Sequence, residues 1–255
     1  MGTFFGKVED RYKCPGFLLS ELRHTCGRAL PEHSHEAAYF SLLLEGAYRE
    51  NAQGRRLEYT RFATAYHPPG MSHQDEIGGG GGLLFTIELE TGTPADLPRH
   101  PLLLNGPPIA LRLFRDHRAG VLSAIEVESI ACELLGQARH SADSEESGTP
   151  RWLRRVLENM RDDPSFPHTV KSLSGQAGIH PVHLARVFRR RFGYPLSDFL
   201  HSLRLQLVMR DLQNPERSLA DIACSRGFSD QSHLTRVFKH WVGVPPARFR
   251  RECVL

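Results

Sequence analysis

No run of apolar residues in this chain approaches the ~20 needed to cross a membrane as a helix, and the N-terminus lacks the apolar core of a signal peptide. Cysteine is sparse. The five among 255 residues (Cys14, Cys26, Cys132, Cys224, Cys253) are odd in number and have no CxxC spacing. That argues against a disulfide framework and for a reducing compartment. A soluble cytoplasmic protein with no membrane partner is the expectation. Acidic charge is short in the C-terminal part only. Residues 151–255 hold 9 Asp+Glu against 18 Lys+Arg, a balance of +9, while residues 1–150 hold 20 against 14, a balance of −6, consistent with the overall +3. A basic half fits a polyanionic partner, and solvated helix faces alone do not explain the segregation. The five glycines Gly78 to Gly82 lack the lysine and following helix of a phosphate loop, so an inter-strand loop is expected there.

The length suits two domains. Residues 1–115 read as short strands broken by glycine and proline clusters, as in a β-sandwich or barrel. In the strand Leu83 to Glu90, Phe85, Ile87 and Leu89 alternate with Thr86, Glu88 and Glu90. A helix is predicted over about 119–139, with Val127, Ile130, Ala131, Leu134 and Leu135 as one apolar stripe. It falls in a helical segment, 116–140, whose stripe serves either a dimer or packing on its own domain. Residues 141–150 are polar and turn-rich and read as a linker. The last domain, 151–255, opens on an amphipathic helix at Trp152 that ends at Asp163-Pro164.

Within that last domain one pattern occurs twice. The first copy runs Leu173-Ser174, Gly178-Ile179, His183-Leu184-Ala185-Arg186-Val187-Phe188, Gly193-Tyr194-Pro195 and Phe199. The second runs Ile222-Ala223, Gly227-Phe228, His233-Leu234-Thr235-Arg236-Val237-Phe238, Gly243-Val244-Pro245 and Phe249. Each has a small residue where two helices approach, a glycine four positions later for the turn, an apolar plug, and a second amphipathic helix. That is the order of a helix-turn-helix. Between the copies, Leu196, Phe199, Leu200, Leu203 and Leu207 mark a long helix ending near Leu212. Its ~17 residues span about 26 Å, a spacer between readers of neighbouring major-groove faces.

These residues, from roughly Trp152 to Phe249, resemble the DNA-binding domain of the AraC/XylS family of bacterial transcription regulators, with Ser174 where the family usually has alanine. Helical spacing turns Leu184, Val187, Phe188 and Phe192 inward in the first reading helix, and Leu234, Val237, Phe238 and Trp241 in the second. Val182, Ala185, Arg186 and Arg189, and Gln231, Ser232, Thr235, Arg236 and Lys239, are left outward. The resemblance implies base-edge contacts for Val182, Ala185 and Arg186, and for Gln231, Ser232, Thr235 and Arg236. Arginine suits guanine and glutamine suits adenine, whereas valine and alanine reach only thymine methyls or the backbone.

In the first half, Gly27-x5-His33-x-His35-x10-Gly46 and Pro68-Pro69-Gly70-x2-His73 resemble the two motifs of the cupin superfamily. Tyr39 stands in place of the usual glutamate and Ile77 in place of an asparagine. The resemblance implies a three-histidine metal site at His33, His35 and His73, open to water or ligand, or a pocket in which these residues and Tyr39 line an effector. Imidazole suits Fe, Zn, Cu and Ni. Glu36 and Asp75 are candidate substitute ligands, but adjacency to a histidine is expected to turn them to the opposite strand face. The combined expectation is a cupin-like all-β barrel followed by helices, then an all-α domain of two helix-turn-helix units joined by a long helix. Such a chain is a non-enzymatic regulator of promoter DNA, controlled by a small molecule or a transition metal, working as a homodimer and engaging RNA polymerase. DNA binding itself requires no cofactor, and an activator fits as well as a repressor. The alternative is a metal-dependent cupin enzyme fused to a DNA-binding module.

Overall fold

The computed structural model describes residues 4–25, 27–90, 97–104, 108–146 and 149–253. Cys26 and part of the expected linker, Ser147 and Gly148, lie outside the described residues. Two compact units are present. One comprises the chain up to Leu104 with Pro108–Ala142, the other essentially Asp143 onward.

Among the described residues the first unit has nine strands: β1 (Lys7–Cys14), β2 (Phe17–His24), β3 (Arg28–Ala29), β4 (His33–Ser34), β5 (Tyr39–Ala52), β6 (Arg55–Tyr59), β7 (Thr64–His67), β8 (Ser72–Leu89) and β9 (Leu102–Leu103). They pair in the order β1-β2-β8-β5-β7-β9, with β3 and β4 also on β8 and β6 also on β5. The end strands β1 and β9 do not pair with each other, so the sheet is open. This overturns the cupin-like closed barrel. The motifs behind that expectation are local, whereas closure depends on pairing between the most distant strands.

The glycine run is also not a loop. It lies inside β8, the longest strand, and joins the segment Ser72–Ile77 to the apolar Leu83–Leu89. Gly46 (φ 85°) faces Gly82 across the ladder, and a Cβ there would collide with the Gly81 carbonyl. A Cβ on Gly81 (φ 78°) would collide with the carbonyl of His24 on β2. Three backbones therefore meet where side chains do not fit, and glycine permits that approach. With no side-chain alternation to read, the sequence pattern alone points to a loop.

Two helices complete this unit, α1 (Ile109–Arg118) and α2 (Ala124–Glu146). The second begins later than its apolar pattern suggests because Ser123 and Glu126 form a capping box. The Glu126 N–H donates to Ser123 Oγ at 3.3 Å, and the Ser123 N–H donates to Glu126 Oε2 at 3.1 Å. The helix continues to Glu146, so the first part of the polar segment is helical. Val127, Ile130, Ala131 and Leu134 are buried within the single chain. Leu135, the fifth residue of the stripe, is only half-buried.

The second unit contains α3 (Arg151–Asp162), α4 (Val170–Ala177), α5 (Pro181–Phe192), α6 (Leu196–Asp211), α7 (Leu219–Ser225), α8 (Gln231–Val242) and α9 (Pro246–Cys253). Its α4–α5 and α7–α8 pairs are the two helix-turn-helix units. One core joins Leu153, Val156, Leu157 and Met160 of α3 to Leu173, Leu184, Phe188, Phe192, Leu196, Phe199 and Leu200. At 16 residues α6 spans about 24 Å. It buries more than one stripe: Ser202, Arg204, Leu205, Val208 and Met209 are inside as well. The single-stripe expectation misses this second face. Arg204 donates to the carbonyls of Pro164 (2.8 Å) and Phe166 (2.9 Å), and its guanidinium lies 5.9 Å over Phe228, beside the second turn. At the far end of α6, Asp211 pairs with Arg226 (2.6 Å) and Arg217 (2.7 Å).

Candidate nucleic-acid interface and histidine cluster

Both reading helices start at a fixed N-terminus. In α5, Pro181 occupies the first turn and the His180 ring accepts from the Val182 N–H at 3.3 Å. In α8, Asp230 accepts from the His233 N–H at 2.7 Å, and that backbone hydrogen bond holds its carboxyl below the usual carboxylate range. The turn before α5 is closed by Gly178 in the left-handed conformation (φ 68°). Ser174, at the alanine position, is buried but donates to the Lys171 carbonyl at 3.0 Å, so its hydroxyl costs little.

These caps set the faces. Leu184, Phe188 and Phe192, and Leu234, Phe238 and Val242, are buried. Val182 (65% exposed), Ala185, Arg186 and Arg189 face solvent on α5. Gln231, Ser232, Arg236 and Lys239 face solvent on α8, with Thr235 half-buried beside them. Trp241, expected inside, is only half-buried, and Val242 takes the inner place. Two polar or small-residue faces thus lie on a basic unit, each presented by the second helix of its motif.

In the first unit His33 on β4 stands directly opposite His73 on β8. Their ring centroids are 4.3 Å apart, and His35 lies 5.1 Å from His33 and 5.3 Å from His73. One ring nitrogen from each of the three falls within 4.8 Å of the others. The outer nitrogens show what the inner ones offer. His33 Nδ1 donates to the Pro31 carbonyl at 2.9 Å and His73 Nδ1 to the Met71 carbonyl at 3.2 Å. Each Nε2 is thereby left for partners within the cluster. His73 Nε2 receives the Tyr39 hydroxyl at 3.3 Å, and His33 Nε2 faces Asp75 Oδ2 at 3.6 Å. Carbonyl-anchored imidazoles of this kind recur around bound metals.

Asp75, expected on the opposite face, lies with the histidines. It is two residues from His73, and a strand's period of two puts both on one side. Glu36 is exposed, as that reasoning placed it. Sequence reading missed Glu50 and His67 altogether. Tyr48, Glu50 and Ala52 are the buried members of an alternating run, so a carboxylate at an inward position was the available signal. Glu50 Oε2 accepts from His67 Nε2 at 2.7 Å and from the Tyr59 hydroxyl at 2.9 Å. The His67 ring in turn stacks on Tyr39 at 4.1 Å. Burial works to raise Glu50, but the charge and hydrogen bond of His67 outweigh it and leave the carboxyl below its ordinary value.

Burial, with help from His73, His33 and His67, pushes His35 down to about 3. Burial also lowers His73 and raises Asp75. A histidine whose folded pKa is depressed stays neutral while the unfolded chain takes up protons. Its stability contribution is present above about 6.5 and drains away as pH falls toward 3. Between pH 7 and pH 5 His35 alone should cost the first unit about 2 kcal/mol. Thermal melts of the wild type and of His35→Gln across that range check this, the variant showing the flatter dependence.

A family model described as a helix-turn-helix domain matches residues 173–252. The chain is 33% identical over 102 residues to the probable transcription factor PqrA of Proteus vulgaris, covering 40% of this chain and 80% of that protein. It is 26% identical over 98 residues to the multiple antibiotic resistance protein MarA of Escherichia coli K12, covering 38% and 77%. A solved transcriptional regulator with an AraC-type DNA-binding domain, from Chromobacterium violaceum, is 21% identical over 42% of this chain and 96% of its own, at a TM-score of 0.38. The chain belongs to the AraC-type helix-turn-helix transcription regulators, a DNA-binding and non-enzymatic class. No helix among the described residues is long and apolar enough to cross a membrane.

Proposed function

We propose that this regulator reads promoter DNA through α5 and α8 and is controlled by a transition-metal ion held between His33, His35 and His73, with Asp75 as the adjoining carboxylate. The observation that carries the DNA half is the pair of exposed faces on the second helix of each motif, within residues 151–255, whose charge balance is +9. Gln231, Ser232, Thr235 and Arg236 read base edges, and Lys239 and Arg189 bind phosphate. Val182 and Ala185 limit the first motif to thymine methyls, with Arg186 its one guanine reader. The observation that carries the ion is the convergence of one ring nitrogen each from His33, His35 and His73 within 4.8 Å of one another, beside a cavity of about 20 Å³ lined by His33, His35, Tyr39 and Asp75, room for a water or an ion rather than an organic effector. His35 Nδ1 and Asp75 Oδ1 are buried there with no hydrogen-bond partner among the described residues. No catalytic step is assigned to the site.

Arg236→Ala separates reading from positioning. It should cost ~1–3 kcal/mol on the preferred site and relax the preference at one base pair. Equal loss on preferred and random duplexes would assign Arg236 to phosphate. For the ion, zinc should alter the operator affinity of chelator-treated full-length protein, and His35→Ala should abolish the response. Zinc binding that leaves operator affinity unchanged would reduce the cluster to a structural role.

A further inference from the structure

We propose that Asp10, Glu21 and His117 form a second, separate site for a divalent first-row cation such as zinc, at the edge of the sheet where α1 ends. Asp10 on the edge strand β1 stands directly opposite Glu21 on β2, and Glu21 opposite Phe85 on β8. These three residues share one face, and α1 lies on it. The Phe85 ring is 5.4 Å from Phe114 and 5.6 Å from His117. His117 is thereby delivered to the two carboxylates.

Two like charges directly opposite on neighbouring strands are destabilising unless a cation lies between them. Arg118 supplies one positive charge. Its guanidinium grips Glu21 from both nitrogens, through Nε at 2.7 and 2.9 Å and through Nη2. One negative charge is then left over, beside an imidazole. His117 is buried, and its Nε2 has no hydrogen-bond partner among the described residues. Yet that nitrogen lies 3.3 Å from Asp10 Oδ2 and 3.6 Å from Glu21 Oε1. Metal–ligand bonds of 2.0–2.2 Å in a tetrahedral arrangement put neighbouring donor atoms about 3.3–3.6 Å apart. The three donor atoms all lie within 4.8 Å of one another. One imidazole and two carboxylates form a borderline-to-hard donor set suited to zinc, iron or manganese. The Asp10 side chain, 60% exposed, leaves the remaining coordination position to solvent. Bound there, the ion ties the end of α1 to the free edge of the sheet.

The test is a zinc titration of the full chain against a chromophoric chelator, in the wild type, Asp10→Asn, His117→Gln and His35→Ala. Asp10 is exposed and asparagine nearly isosteric, so that variant folds and decides the matter should His117→Gln not fold. The expected result is one zinc equivalent weakened about tenfold or more, or lost, in Asp10→Asn and His117→Gln but retained in His35→Ala. The same equivalents and affinities in the wild type and Asp10→Asn would overturn the proposal, as would a wild type that takes up no zinc. Loss of the only bound equivalent in His35→Ala would assign the metal to the histidine cluster alone and overturn it too.

Discussion

Alanine at Gly227 should destabilise the DNA-binding unit by roughly 3 kcal/mol or more, while alanine at the equivalent Gly178 should cost only about 1–2 kcal/mol. Both glycines turn a helix-turn-helix with positive φ, 75° and 68°, so both substitutions incur the strain of a left-handed L-residue. Their surroundings differ. A Cβ on Gly178 meets open space. A Cβ on Gly227 would run into the Ser165 carbonyl and come within 2.9 Å of the Arg204 guanidinium. That guanidinium is held by the carbonyls of Pro164 and Phe166, so it cannot swing away cheaply. The clash is with backbone and an anchored side chain, and the second motif must shift against the loop after α3. Chemical denaturation of the two variants measures the difference. Equal destabilisation would show that the contact between that loop and the second turn is not rigid.

Glu50→Ala should severely weaken the first unit, by about 2–5 kcal/mol, the cost of leaving two buried hydrogen-bonding groups without their shared carboxylate acceptor. Glu50 and His67 are both buried, and the carboxylate is the common acceptor of His67 and Tyr59. Without it the imidazole and the phenol lose their partner where water cannot replace it. Glu50→Gln should be milder, since an amide oxygen still accepts one of the two bonds. Melting temperatures of the two variants, read at pH 7, test this. An alanine variant as stable as the wild type would mean that the pair contributes no net stability.

The helical half was legible from the sequence to within a few residues because its signals are local. Pro181, Gly178, Gly193, Gly227 and Gly243 punctuate the helices, and apolar residues recur at helical spacing between them. The repeat then identified both motifs. What local spacing did not show was Arg204 inside α6, because a helix packed on more than one side has no single stripe. The sheet was less legible for a physical reason of its own. Its pairings join residues far apart in sequence, and the strand that organises it contains five glycines with no side chains to alternate. His33, His35 and His73 were found by motif. Their closest carboxylate, Asp75, was misplaced by counting it as adjacent to a histidine when it lies two residues away. Glu50 and His67 escaped notice because neither is the other's strand partner: Glu50 stands opposite Leu57 and His67 opposite Tyr39, so their contact is tertiary.

In the proposed function, α5 and α8 are the helices through which this chain reads DNA sequence. The most direct measurement selects duplexes from a random pool with the 150–255 fragment, then compares selected and random DNA for fragment and full chain as salt is raised. Linear loss of log affinity with log salt on both duplexes is predicted, from phosphate neutralisation. The selected duplex should keep an advantage of about 10³-fold or more. A folded fragment that shows no salt-sensitive DNA binding, or that binds selected and random duplexes equally, would contradict the account.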